Sequence, residues 1–296
     1  MNPGVIVLDK PGGITSFDAV QAVGRILGER KCGHAGTLDP MATGVLPVCV
    51  GAATKIAGYL SEEEKEYEAV FAFGTGTDTG DATGKPVSTR PGAHAGASDV
   101  ADALSELVGT FEQVPPAYSA VKVGGVRSYV LARKGEEMPL AARRVTVREA
   151  RLLSCDTLGF RALLVCSKGF YVRALSRDLG ARLGVPMTVA GLRRRRVGTF
   201  RIEEAVTLET LRELADAGAA AGRVLPIVDA LPRLPQWTVP PEAVPAVRNG
   251  RLAGQWLADF AAVVGGDTAL LVTGIREPLA IVGREPSGLW KILRGL

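Results

Sequence analysis

Cysteine and histidine are scarce in this chain of 296 residues, with four of the first and two of the second. Cys32, Cys49, Cys155 and Cys166 lie 17, 106 and 11 residues apart and form no Cys-x-x-Cys pair. The histidines, His34 and His94, are far from each other. Neither a zinc cluster nor a disulfide framework is therefore expected. No run approaches the roughly 18–20 apolar residues of a membrane span. The opening MNPGVIVLDKPGG has no basic stretch followed by an apolar core, so no signal peptide is read. These absences point to a soluble, reduced, cytoplasmic protein. At 47% hydrophobic residues the chain can build a real core, as one large domain plus a small one or as two medium ones.

What is present is an uneven charge. The net charge of +4 divides into −7 over residues 1–113, +13 over 114–201 and −2 over 202–296. A positive block of this kind is either a solvated basic face or the footprint of a polyanion, and charge does not say which polyanion.

Local signals set the organisation. Thr15 or Ser16 can cap a helix whose Phe17, Val20, Val23 and Leu27 recur at helical spacing. Residues 33–44 read as a glycine-punctuated loop, 67–73 as an alternating strand, and 74–84 and 86–99 as loops, the second mobile. A helix is expected near 99–108. Strands are expected over 144–153 and 160–167, the latter central because it is apolar on both faces. A further helix near 171–183 stops at Gly184 with Pro186 beyond. Six prolines in 225–245 make that stretch the best linker. The last sixty residues alternate in short runs, as a small β domain would. Asp78 and Asp81 lack the spacing and distal glutamate of a calcium loop and read as turn formers. Glu62–Glu64 reads as a solvated helix end or loop.

The most informative stretch is Gly33-His34-Ala35-Gly36-Thr37-Leu38-Asp39-Pro40-Met41-Ala42-Thr43-Gly44. Its glycines permit tight backbone and Pro40 biases Asp39 away from helix, so the carboxylate can project from a turn. An aspartate before proline is also an ordinary helix N-cap, and the local pattern alone favours that cap. The stretch resembles the bacterial tRNA pseudouridine-55 synthases, the TruB family. So do, in order, residues 9–16 (DKPGGITS), Lys65-Glu66-Tyr67, Thr77-Asp78-Thr79-Gly80-Asp81, residues 114–122 (VPPAYSAVK), residues 166–173 (CSKGFYVR) and Leu192-Arg193-Arg194. The resemblance covers roughly 1–235. The C-terminal sixty residues resemble, more loosely, the small PUA barrel appended to this family.

The resemblance implies an α+β pseudouridine synthase fold. A central mixed, largely antiparallel sheet is flanked by helices over 1–236, with an RNA-contacting insert near 114–144, and a PUA-like β-barrel follows over 237–296. It implies isomerisation of uridine 55 in the T-loop of tRNA, by base flipping and carboxylate-assisted cleavage and re-formation of the glycosidic bond, with a tRNA-folding role as a possible companion. Asp39 would be the catalytic carboxylate, by attack on the ribose or by proton abstraction. Arg173 would hold it ionised, although a cation in the first turn of a helix is mildly unfavourable without an anion opposite. Tyr67 would stack on the uracil and assist at C5. Tyr171 and Leu192 would line the uridine pocket, His34 would fill the gap left by the flipped base, and Lys10 would brace the site. Arg193–Arg196 and 118–144 would contact phosphates. Nothing in an isomerisation calls for a cofactor or metal. The expected partner is the tRNA T-arm stem-loop, with no membrane, no obligatory protein partner and a monomeric state. An RNA-binding or RNA-folding protein whose catalysis is incidental, and a hydrolase using Asp39 with a second carboxylate, are the competing readings; no second carboxylate in a matching context is evident.

Overall fold

Alternation fixes the centre of the fold. In a computed structural model, which describes residues 2–119, 122–123, 126–128 and 140–296, the stretch Lys65–Phe73 buries Lys65, Tyr67, Ala69 and Phe71 on one face. It lies inside a ten-stranded sheet. In chain order the elements of the large unit are β1 (Gly4–Lys10), α1 (Ser16–Leu27), β2 (Cys32–His34), β3 (Thr43–Val50), a 3-10 turn (Gly51–Ile56), α2 (Ala57–Ser61), β4 (Lys65–Phe73), β5 (Thr75–Thr77), β6 (Pro86–Thr89), α3 (Ala97–Ser105), β7 (Gly109–Gln113), β8 (Lys122–Val123), β9 (Val126–Arg127), β10 (Arg143–Cys155), β11 (Gly159–Cys166), α4 (Val172–Leu183), β12 (Met187–Val197), β13 (Phe200–Arg201), α5 (Leu208–Asp216), β14 (Leu225–Pro226) and α6 (Ile227–Ala230). The sheet runs β14-β1-β3-β12-β4-β11-β10-β7, with β2 beside β3 and β13 beside β12. The pairs are antiparallel except β3 with β12, which run parallel through Arg193↔Thr43 and Arg194↔Gly44. That junction sets the end of the glycine-rich loop against the arginine run.

The mixed, largely antiparallel sheet flanked by helices is as expected, and the caps are local. Thr15 and Asp18 form a reciprocal capping box at the start of α1. Gly184 closes α4 in the left-handed conformation. The phase of α1 differs from expectation. Its inward face is Ser16, Ala19, Val20 and Val23, and Phe17 is 67% exposed. Residues 86–89 are not loop but a strand paired with Thr75–Thr77. Glu62–Glu64 is not simply solvated: Glu62 pairs with Lys168, Glu63 with Arg233, and Glu64 with both Arg148 and Arg196.

The proline-rich stretch is partly ordered into β14 and α6. The chain then enters a second sheet of β15 (Gln236–Thr238), β16 (Thr268–Val272), β17 (Pro278–Arg284) and β18 (Trp290–Gly295), with α7 (Val244–Arg248) and α8 (Trp256–Val263) between its first two strands. β15 and β18 are its two edges and do not pair. The sheet is therefore open, which corrects the expected closed barrel. Its core packs Phe260 edge-to-face with Trp237 and Trp290. A second apolar cluster, in which Val5 and Ile56 join Leu270 and Ile281, connects the two sheets. No helix among the described residues is long and apolar enough to cross a membrane.

Candidate active site

The loop between β2 and β3 is pinned from three sides. The Ser16 hydroxyl, 2% exposed, donates to the Leu38 carbonyl at 3.0 Å and accepts from the Leu38 N–H at 2.8 Å. The Gly13 N–H donates to the Pro40 carbonyl at 2.8 Å. Lys10 is fully buried, and its Nζ donates to the carbonyls of Pro11, Ile14 and Pro40 at 2.7, 2.8 and 3.4 Å. Burial pulls the Lys10 ammonium down to about 8, and the negative charge of Asp39 draws it partway back. The Ala42 N–H returns to the Asp39 carbonyl at 3.1 Å, so Asp39-Pro40-Met41-Ala42 is a turn with proline at its second position. No helix follows, which removes the N-cap alternative for Asp39. Gly44, at φ +104°, closes the loop where a Cβ would stand 2.2 Å from the Arg194 carbonyl; only glycine fits.

Asp39 faces Arg173, the second residue of α4. Arg173 Nε donates to Asp39 Oδ2 at 2.7 Å and Nη2 to Oδ1 at 2.8 Å, a bidentate fork. Two further donors are used: Nη1 reaches the Thr79 carbonyl at 3.0 Å and Nη2 the Tyr118 carbonyl at 2.8 Å. The Arg173 side chain is 6% exposed, whereas that of Asp39 is 31% exposed. The cation is sealed and the carboxylate is open on one side. An anion opposite the first turn of α4 resolves the unfavourable placement of a cation there.

Sequence reasoning treated Asp81 as a turn former only. Its Oδ1 accepts from Thr79 Oγ1, the Thr83 N–H and Thr83 Oγ1, which is the turn. Its Oδ2 lies 3.6 Å from Arg173 Nε, so a second carboxylate does border the site. It is buried, and one oxygen is saturated. That leaves it poorly placed to activate a water, and the hydrolase reading gains nothing. A local motif could suggest the turn but not the arginine that Asp81 meets 92 residues further on.

Tyr67 lies opposite Arg194 and Leu192 opposite Ala69 across β4 and β12, so Tyr67 and Leu192 share one sheet face. Burial raises the Tyr67 phenol above its usual range, and the nearby Asp39 charge adds to this while Arg194 opposes it. Tyr171 is the N-cap of α4. The buried Gln113 side chain holds its backbone like a short ladder, accepting from the Tyr171 N–H at 2.9 Å and donating to its carbonyl at 3.2 Å. Gln113 was not singled out from sequence. His34 ends β2, opposite Val48, and leads directly into the loop carrying Asp39.

The arginine run departs from expectation. Arg194 is 1% exposed and donates to the carbonyls of Val45, Gly36 and Thr37. Arg193 forks onto Asp9, and Arg196 bridges Glu64 and Glu66. Arg195 meets Glu203 and Glu68. All four are engaged by carboxylates or carbonyls of the fold; Arg194 is sealed, while the side chains of Arg193 and Arg195 remain 38% exposed. The expected phosphate-contacting insert lies largely outside the described residues, over 120–121, 124–125 and 129–139.

Comparison with known proteins agrees with this architecture. The profile of the TruB family pseudouridylate synthase N-terminal domain matches residues 24–172. The tRNA pseudouridine synthase B of Bacillus subtilis (strain 168) is 39% identical over 290 residues, 96% of this chain and 94% of that protein. That of Bordetella parapertussis is 46% identical over 219 residues, covering 73% and 90%. Among solved structures, a chain of a Cbf5-Nop10-Gar1 complex superposes with TM-score 0.74 at 26% identity, covering 99% of this chain and 83% of that one. A chain of an H/ACA ribonucleoprotein bound to a substrate RNA containing 2'-deoxyuridine gives TM-score 0.73 at 23% identity, covering 99% and 84%. The profile match and the near full-length similarity together make the chain a member of the TruB family of pseudouridylate synthases.

Proposed function

We propose that this protein converts uridine 55 in the T-loop of tRNA to pseudouridine, with Asp39 as the carboxylate that acts at the sugar. The observation that carries the reading is the fork between Arg173 and Asp39: it fixes both carboxylate oxygens and leaves the outer side of Asp39 open to a ligand. The glycosidic N1–C1' bond breaks, the uracil turns, and C5 bonds to C1'. The net change moves one hydrogen from C5 to N1, so neither water nor an oxidant is consumed. The target base must leave its stack, which costs a few kcal/mol, and stacking on an aromatic ring returns about 1–3 kcal/mol. Tyr67 is the ring for that role, with Tyr171 and Leu192 as pocket walls, His34 as the group that takes the place of the flipped base, and Lys10 as the brace beneath. Residues 1–236 form the catalytic unit and 237–296 an accessory RNA-binding unit of the PUA type. The protein works as a monomer in the cytoplasm, and opening and reclosing the tRNA elbow gives it a folding role as well.

The test is an unmodified T-arm stem-loop incubated with purified protein and no metal or nucleotide, followed by pseudouridine mapping. Conversion at position 55 by wild type and its loss in Asp39→Asn is the expected result. No product with wild type refutes the substrate; product surviving in Asp39→Asn refutes the assignment of Asp39.

A further inference from the structure

Helix α4 starts on a residue that does not cap it. N-cap positions favour short polar side chains that accept from the first turn, and Tyr171 makes no such bond. Its carbonyl accepts the first helical bonds, from the Ala174 and Leu175 N–H groups at 3.1 and 3.3 Å. The fastening of that residue comes from another strand. Gln113 grips both polar backbone atoms of Tyr171, its Oε1 accepting from the N–H and its Nε2 donating to the carbonyl. A primary amide can do both at once, as a neighbouring strand would. Gln113 is 2% exposed and ends β7, the edge strand of the large sheet, where pairing with Arg143 of β10 holds its backbone.

The clamp lies two residues before Arg173. The start of α4 therefore sets where the stem of that arginine leaves the backbone. Two more contacts tie the chain after β7 to the same helix. The Val114 carbonyl accepts from Arg177 Nη2 at 3.1 Å, and the Tyr118 carbonyl from Arg173 Nη2 at 2.8 Å. Those bonds end on long, flexible side chains, whereas Gln113 holds the helix backbone itself.

We propose that Gln113 is a positioning residue for the isomerisation. It fixes the backbone of Tyr171, and with it the Tyr171 side chain at the uridine pocket and the Arg173 guanidinium against Asp39. The inference rests on the roles proposed above for Asp39, Arg173 and Tyr171. The Arg173–Asp39 fork, at 2.7 and 2.8 Å, tolerates little displacement of either partner. A misplacement of about 1 Å in a reacting geometry can cost about 100-fold in rate.

The test uses the full chain, an unmodified T-arm stem-loop and two variants. Gln113→Met keeps the length of the side chain and removes both polar atoms. Gln113→Asn keeps the amide and shortens its reach by about 1.5 Å. Single-turnover conversion at saturating protein, Kd by filter retention and the urea midpoint are read for each, at a temperature where every protein is folded. Both variants are expected to convert bound RNA about 10- to 100-fold more slowly. Their Kd should stay within about 3-fold of wild type, because affinity resides mainly in phosphate contacts. Gln113→Asn is expected to keep the higher urea midpoint of the two, and it keeps the measurement readable if Gln113→Met does not fold. Wild-type rates in either variant overturn the proposal, since a buried amide of any reach would then suffice. So does a loss of affinity as large as the loss of rate, which would make the clamp a general support of the fold. Wild type that makes no pseudouridine on this RNA sinks the T-loop substrate proposed above; conversion that both variants match sinks the positioning role alone.

Discussion

Arg173 and Asp39 stand 134 residues apart in the chain and meet through two parallel hydrogen bonds of 2.7 and 2.8 Å. The same guanidinium also holds the Thr79 and Tyr118 carbonyls. A lysine cannot reproduce that fork. Arg173→Lys is expected to lower single-turnover conversion by about 10- to 100-fold, the equivalent of one lost charge-assisted bond at about 1.5–3 kcal/mol. RNA affinity should change less than about 3-fold. A variant that weakens binding while turning over bound RNA at the wild-type rate would make Arg173 a phosphate contact instead.

Ser16 fastens the turn that carries Asp39 through both polar atoms of Leu38. Removing the buried hydroxyl in Ser16→Ala strands a carbonyl and an N–H, at a cost of about 1–3 kcal/mol. A fall in urea midpoint accompanied by a lower conversion rate is the expected pair of results. Lost stability with unchanged conversion would show that the loop holds its shape without Ser16.

Arg194 supplies donors to three carbonyls around the same loop. Arg194→Gln is expected to destabilise the fold by about 2–4 kcal/mol. The salt slope for RNA binding should remain that of wild type. A stable variant with a shallower slope would restore the arginine run to the RNA surface.

Lys10 and Lys65 are both lowered to about 8 by burial. In the unfolded chain a lysine titrates near 10.4, so between about pH 8 and 10.4 the unfolded state binds more protons. Stability contributed by these groups therefore rises with pH across that window, and below it the full burial penalty is present. For Lys10 the swing is on the order of 3 kcal/mol. Urea unfolding from pH 7 to 10 should rise more steeply for wild type than for Lys10→Met; parallel curves would rule the linkage out.

Short-range physics explains what was legible in the sequence. The capping box of Thr15 and Asp18, the left-handed Gly184, and the alternation through Tyr67, Ala69 and Phe71 depend on neighbours a few residues away. The ordered motifs identified the family, and with it the expectation about Asp39. The helical spacing of α1 was visible, but its rotation was not, because packing chose Ser16 over Phe17 as the inward residue.

By itself, then, the sequence determined most of the elements and the family, while the choice of a turn over a helix cap at Asp39-Pro40 came from the fold. Tertiary structure decided where the charges went. The positive block at 114–201 and the acidic stretch before it lie on neighbouring strands, in a register that sets Arg193 opposite Glu68 and Arg196 opposite Glu66. Much of the positive charge in that block is met inside the fold, because strand pairing brings together residues some 130 positions apart. Charge is a property of residues, but its availability to a ligand depends on distances that pairing and packing alone establish.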